Sequence, residues 1–400
     1  MNYKKYELRE LIKIKNGKDY KNEKRGLIPV YGTGGIVDYI DKYIYNGESI
    51  LLPRKGSLDN IEYVNGKFWT IDTMYWTQIN TDIVYGKFLF LYLSLLNTAK
   101  RNTGSTLPSM TFEAYYSLEI SLPEYEKQKK IADFIFIILD KINNNNQINN
   151  NLEELMKTIY QRWFIEFEFP NEEGKPYKSN GGKLYYNREL KHSLPEGWKV
   201  SKIKDCIKHI NTGLNPRDNF VFGKGKIKYI TVKNINENGT LDFSNCDLID
   251  ENAWKIIHNR SDIRKDDILF ASIAPLGRCY LIMENPKDWE INESVFSIRP
   301  NNKVISSAYL YRYLMSEYFV KKAERSSTGS VFNGIRINVL ENMNIVIPND
   351  QILDNFSQII KNIMIKKYYY EKENVYLNMI KTELLPLLIN GQINVDDIEI

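Results

Sequence analysis

Cations, hydroxyls and glycines gather on a few short stretches of this 400-residue chain, a combination suited to contact with phosphate. Arg54, Lys55 and Ser57 surround Gly56 directly after an apolar run. Lys100, Arg101, Thr103 and Ser105 surround Gly104, and Arg325, Ser327, Thr328 and Ser330 surround Gly329. Further loop cations are Arg217, Lys224, Lys226, Lys233, Arg278 and Arg336. Lys224, Lys226 and Lys228 alternate ahead of Tyr229-Ile230-Thr231-Val232, which would place them on one strand face, as a backbone-tracking stripe or a solvated edge. A helix C-cap with its customary cations accounts for the Lys100 and Arg325 stretches nearly as well, and a solvated turn for Arg54 to Ser57.

Catalytic chemistry is poorly supplied. Gly32-Thr33-Gly34-Gly35 fits neither a dinucleotide fingerprint nor a P-loop and reads as a turn between two short strands. Glu173-Gly174-Lys175 matches the ExK of metal-dependent nucleases without the Pro-Asp that should precede it. Asn215-Pro216 begins like an amino-methyltransferase motif, but Arg217 and Asp218 stand where a second proline and an aromatic belong. Cys206, Cys246 and Cys279 form no CxxC pair, and only His192, His209 and His258 offer imidazole. Phe68 to Trp76 reads as an aromatic strand pair destined for a core. No triad, metal cluster or cofactor loop emerges, so the expectation is no catalytic, cofactor-binding or metal-binding residues: a reader of some partner rather than a catalyst.

Four hundred residues suggest two or three domains, and 26% charged with 43% hydrophobic residues are globular values. A net charge of +4 confines any basic footprint to local patches. Without an eighteen-residue apolar run or an apolar start, the expectation is a cytoplasmic protein with no membrane partner.

The elements that must position these loops are two long helices. Ile131, Ile135, Ile138, Ile142, Asn145, Asn149, Leu152, Met156, Ile159 and Trp163 step by fours and threes, a heptad seam. It predicts a rod of roughly 50 Å. Thr103-Gly104-Ser105 precedes Pro123 as Thr328-Gly329-Ser330 precedes Pro348, and this offset of 225 carries the seam to Phe356, Ile360, Ile363, Tyr370, Asn374, Leu377, Leu384 and Leu388. The predicted fold is therefore α/β (α+β): two globular units alternating with two long helices that pair as an antiparallel coiled coil, in a pseudo-twofold internal repeat. The boundaries are a globular unit over 1–122, a helix over 123–168, a linker over 169–195, a second globular unit over 196–347, a helix over 348–390 and a tail over 391–400. Trp198 to Ile203 echoes Tyr6 to Leu11, and Trp289-Glu290-Ile291-Asn292 echoes Trp69-Thr70-Ile71-Asp72.

This plan resembles the specificity (S) subunit of type I restriction-modification enzymes. The carrying residues are Ile120-Ser121-Leu122-Pro123-Glu124-Tyr125-Glu126-Lys127-Gln128-Lys129-Lys130-Ile131-Ala132, Tyr160-Gln161-Arg162-Trp163-Phe164 with Phe167, the stretch Asn171 to Gly182, and Leu194-Pro195-Glu196-Gly197-Trp198. Lys127 stands where the family usually has Glu, and Pro348-Asn349-Asp350-Gln351-Ile352 lacks the Glu-Gln. The resemblance implies a non-catalytic subunit whose two target-recognition domains read the halves of a bipartite, asymmetric double-stranded DNA site. Helices would act as a ruler and dock two modification subunits and the restriction subunits. S-adenosylmethionine, ATP and Mg are then expected on the partners, with none bound by this chain. The alternatives are the specificity subunit of a related system with a fused nuclease-methylase, and an assembly scaffold that reads no DNA; a stand-alone methyltransferase is disfavoured by the missing motifs.

Overall fold

The computed structural model describes residues 3–96, 109–217, 219–326 and 334–398. The chain divides into two compact units, residues 1–143 with 374–400 and residues 144–373.

The first unit is built on a six-stranded mixed sheet in the order Ile12–Lys15, Met74–Ile79, Tyr45–Pro53, Glu62–Thr70, Arg25–Gly32, Gly35–Ile40. Ile50, Leu51 and Leu52 in Tyr45–Pro53 are fully buried, as a strand covered on both faces requires. Glu62–Thr70 and Met74–Ile79 do not pair with each other, contrary to the expectation for Phe68 to Trp76. The link between them crosses the end of Tyr45–Pro53, where the Arg54 amide donates to the Thr73 carbonyl at 2.8 Å. The chain start forms one helical turn, Leu8–Leu11, with a capping box between Glu7 and Glu10, and then the strand Ile12–Lys15. Leu8 and Leu11 join Phe88, Tyr115 and Ile120 in the core.

The second unit rebuilds this frame with a four-stranded sheet, Ile207–Thr212, Val295–Pro300, Ile268–Ala271, Cys279–Leu281, and a three-stranded one, Asp247–Ile249, Ile227–Ile230, Trp289–Ile291. Two glycines show how closely the repeat holds. A Cβ on Gly17 would stand 1.9 Å from the Ile71 carbonyl oxygen, and one on Gly213 would stand 1.7 Å from that of Ile291, so both positions admit only glycine. The Leu8 amide donates to Leu118 and the Ile203 amide to Met343, which equates Leu8 with Ile203. The echo of Tyr6 to Leu11 in Trp198 to Ile203 is therefore displaced by three residues. Apolar residues three apart occur in both segments, so a three-residue slip preserves the pattern.

Residues 169–195, expected as a linker, are folded. Phe169 stacks on Tyr177 and Trp198 with ring centroids 4.6 and 5.2 Å apart, and His192–Pro195 pairs with Leu184–Asn187 as a hairpin. The aromatics, hidden among Pro, Gly and polar residues, bury enough surface to order the stretch.

The long helices span Tyr125–Tyr160, widening into a π turn over Gln161–Ile165, and Asp350–Ile389. In the first unit Ile131, Ile135 and Ile138 share an apolar core with Leu385, Leu388 and Ile389, so the early part of one helix lies with the late part of the other. Ile142, Leu377 and Leu384 are half-buried against this core. Gln128 fixes the helix start: its amide nitrogen donates to the Pro123 carbonyl at 3.0 Å and its oxygen accepts the Tyr85 amide at 2.9 Å. In the second unit Met156, Phe356 and Ile360 are buried while Leu152, Ile159, Trp163, Ile363 and Tyr370 are half-buried. Asn145, Asn149, Glu153, Ser357 and Lys367 add a buried polar layer to this seam.

Candidate nucleic-acid interface

In the first unit four loops meet at the end of the central strand Tyr45–Pro53. The Arg54 amide binds Thr73, the Arg54 carbonyl accepts the Met110 amide at 3.0 Å, and Lys55 bridges Ser109. Asn60 donates from its side chain to the Thr33 carbonyl at 2.7 Å, tying in the glycine turn. Gly56, at φ +91°, would carry a Cβ 3.3 Å from the Thr33 hydroxyl oxygen. Arg54, Lys55 and Ser57 thus sit on one braced loop, Lys55 and Ser57 exposed and Arg54 half-buried.

Arg54 is itself placed. One guanidinium nitrogen donates to the Asp72 carbonyl at 3.3 Å, and the group lies 6.0 Å from the centre of the Tyr75 ring. Burial raises the Tyr75 phenol above its ordinary range, and the Arg54 charge opposes that rise.

The second unit brings the equivalent loops together with other side chains. The Ser272 amide donates to Ser294 at 3.0 Å, the Ser272 carbonyl accepts the Ile335 amide at 2.8 Å, and Ile273 bridges Gly334. Arg336 follows, exposed, at the N-cap of Ile337–Glu341. Lys233 is exposed on the turn Val232–Asn234 after Ile227–Ile230, whose Ile230 carbonyl accepts the Asn292 amide. Ser272 was not among the sequence candidates, and the signal that finds it is the strand-end register rather than residue type.

The remaining candidates differ in setting. Lys224 and Lys226 are exposed but precede the strand, which starts at Ile227, and do not share a strand face. Gly223 and Gly225, at φ +80° and +99°, turn the backbone there. Arg217 is exposed on a turn whose Phe220 amide donates to Pro216. Arg278 pairs with Glu237 at 3.0 Å and is largely covered, which leaves it poorly placed for a partner. Arg325 is exposed at the end of Glu317–Ser326. Lys100, Arg101, Thr103, Ser105, Ser327, Thr328 and Ser330 lie outside the described residues.

Among the described residues no group of three or more His, Cys, Asp or Glu side chains is arranged to hold a metal ion. His258 meets buried Glu290 at 2.6 Å, but the Ser261 hydroxyl donates to Glu290 at 2.7 Å rather than to the imidazole, so this cluster is no activated nucleophile. No described helix is long and apolar enough to cross a membrane.

Comparison with known proteins agrees with this two-fold frame. The type I restriction modification DNA specificity domain matches residues 1–154 and again 195–373. The MjaIX type I restriction enzyme specificity subunit of Methanocaldococcus jannaschii is 27% identical over 297 residues, 74% of this chain and 65% of its own length. The HindI type I restriction enzyme specificity subunit of Haemophilus influenzae is 24% identical over 413 aligned residues, covering 89% of this chain and 86% of its own length. The crystal structure of the type I restriction-modification S subunit from M. genitalium shares the fold at a TM-score of 0.59, with 14% identity over 97% of this chain and 96% of that one. With the domain matched twice and the strand-end frame built twice, this chain belongs to the family of type I restriction-modification specificity subunits.

Proposed function

We propose that the chain is the DNA-reading subunit of a type I restriction-modification complex, each globular unit reading one half of a bipartite, asymmetric double-stranded site. The observation that carries this is the same hydrogen-bonded loop frame, built twice with different side chains at its tips: Arg54 and Lys55 in one unit, Ser272 and Ile273 in the other. A fixed scaffold with divergent tips suits two readers of unlike half-sites. Exposed Lys224, Lys226, Lys233 and Arg336, unpaired among the described residues, suit phosphate contact that sets register.

The long helices would space the half-sites and receive two modification subunits and the restriction subunits. Apolar side chains left exposed on the second helix support this: Ile365 and Tyr369 in one unit, and Val375, Tyr376, Met379 and Ile380 in the other. S-adenosylmethionine for adenine methylation, and ATP and Mg for cleavage, would be held by those partners. The test is a gel-shift titration of the purified complex on double-stranded DNA at several salt concentrations. Binding that weakens steeply with salt is expected, and salt-insensitive or absent binding favours a scaffold.

A further inference from the structure

We propose that Arg54 reads a guanine in the half-site met by the first unit, and that Ser272 leaves the second unit without a reader at the corresponding place. This rests on the DNA-reading function proposed above.

The two residues are equivalent by backbone, not by type. Each follows the central strand of its unit, donates its amide to the link crossing that strand's end, at Thr73 or Ser294, and accepts an amide from a third loop, at Met110 or Ile335. Two hydrogen bonds from separate loops fix the main chain, so the side chain alone distinguishes the positions.

At Arg54 the guanidinium is anchored but not consumed. One N–H reaches the Asp72 carbonyl, the plane is steadied by Tyr75, and no carboxylate pairs with the group among the described residues. Tyr75 is in turn fixed by its hydroxyl donating to Met110 at 3.3 Å and by edge contact with Phe112 at 4.6 Å. The remaining four of its five N–H donors have no partner among the described residues, and the group is half-exposed on a braced support. A held fork matches two neighbouring acceptors in a plane, and among base edges in the major groove guanine N7 and O6 present that pair. The adjacent Lys55 ammonium is exposed and suits the phosphate role, which needs charge rather than a fork.

At Ser272 the hydroxyl is spent. It donates to the Ser294 carbonyl at 2.8 Å, and the residue is only 6% exposed. Ile273 follows in place of Lys55, 38% exposed and without polar atoms in its side chain. The second unit can offer apolar contact there but no planar fork.

The test uses the full chain expressed with the modification subunits of its own system, reading methylated positions on plasmid DNA. Arg54→Gln removes the fork, and glutamine is suited to adenine. The expected result is that one guanine in one half-site becomes degenerate or gives way to adenine, with discrimination there falling about 5- to 150-fold and the other positions unchanged. Arg54→Lys keeps the charge and must also loosen that position, since a point charge cannot reproduce the fork. Ser272→Ala removes a hydroxyl bound to the Ser294 carbonyl and should change no base of the motif; a base changed in the other half-site would make Ser272 a reader and overturn that part of the inference. Uniformly slower methylation of an unchanged motif would make Arg54 a phosphate contact and overturn the inference, as would full discrimination in both Arg54 variants or a motif without guanine in either half. If the unaltered complex methylates no split motif, the DNA-reading function itself fails. If it does and Arg54→Gln changes nothing, only this inference fails.

Discussion

Glu153 is the residue whose loss the second unit should tolerate least. Its carboxylate pairs with Arg312 on one oxygen and with Lys367 Nζ on the other at 2.9 Å, and all three side chains are at most 9% exposed. Lys367 also donates to the Asn238 carbonyl and feels the Glu371 carboxyl, while Arg312 Nε has no partner among the described residues, so Arg312 is the cation with least other compensation. Glu153→Ala would leave two buried cations without their counter-charge. Removing one partner of a buried pair costs about 3–5 kcal/mol, and this carboxylate serves two, so the upper end is expected. An exposed pair such as Lys130 with Asp396, both side chains more than half exposed, is screened by solvent, which makes Asp396→Ala the control. Urea unfolding followed by hydrogen exchange would read the effect segment by segment, with protection falling across 144–160 and 350–373. A loss no larger than that of Asp396→Ala, or one confined to the first unit, would refute the reasoning.

Burial raises the Glu371 carboxyl to about 7 from its ordinary 4.5, against the pull of Lys367 and with added push from Glu153. The folded state thus holds this proton more tightly than the unfolded chain, so the contribution to stability is full below pH 4.5 and lost as pH rises to about 7. Glu371→Gln should flatten that part of the second unit's stability–pH curve. Gly213→Ala drives a Cβ against the Ile291 carbonyl and should destabilise the second unit by about 3 kcal/mol or more, measured by thermal or urea unfolding. Ile135→Ala, at a fully buried position facing the first unit's core, should cost about 2–5 kcal/mol in the same assay. Lys224→Ala with Lys226→Ala should leave stability unchanged and reduce the salt slope of DNA binding by up to about two phosphate contacts.

Much of the architecture was legible because it is periodic or repeated. The isoleucine spacing from Ile131 gave a helix, and the 225-residue offset joins Thr111 to Arg336, each the cap of an equivalent short helix. What escaped depended on contacts distant in sequence. A glutamate at 153 and a lysine at 367 look like solvated helix charges until they are brought together beside Arg312. The folded stretch 169–195 owes its order to aromatic stacking that composition concealed. At the interface the cationic loop of the first unit was visible by residue type. Its counterpart at Ser272 was not, because equivalence there is defined by main-chain hydrogen bonds rather than charge.

The central claim, that this chain selects the DNA sequence on which its partners act, is tested most directly by mapping adenine methylation on plasmid DNA in cells expressing its modification subunits with and without it. Methylation confined to one split, asymmetric motif, and lost when the chain is withheld, is the predicted result. Methylation indifferent to the chain, or absent from a fully assembled complex, would contradict it.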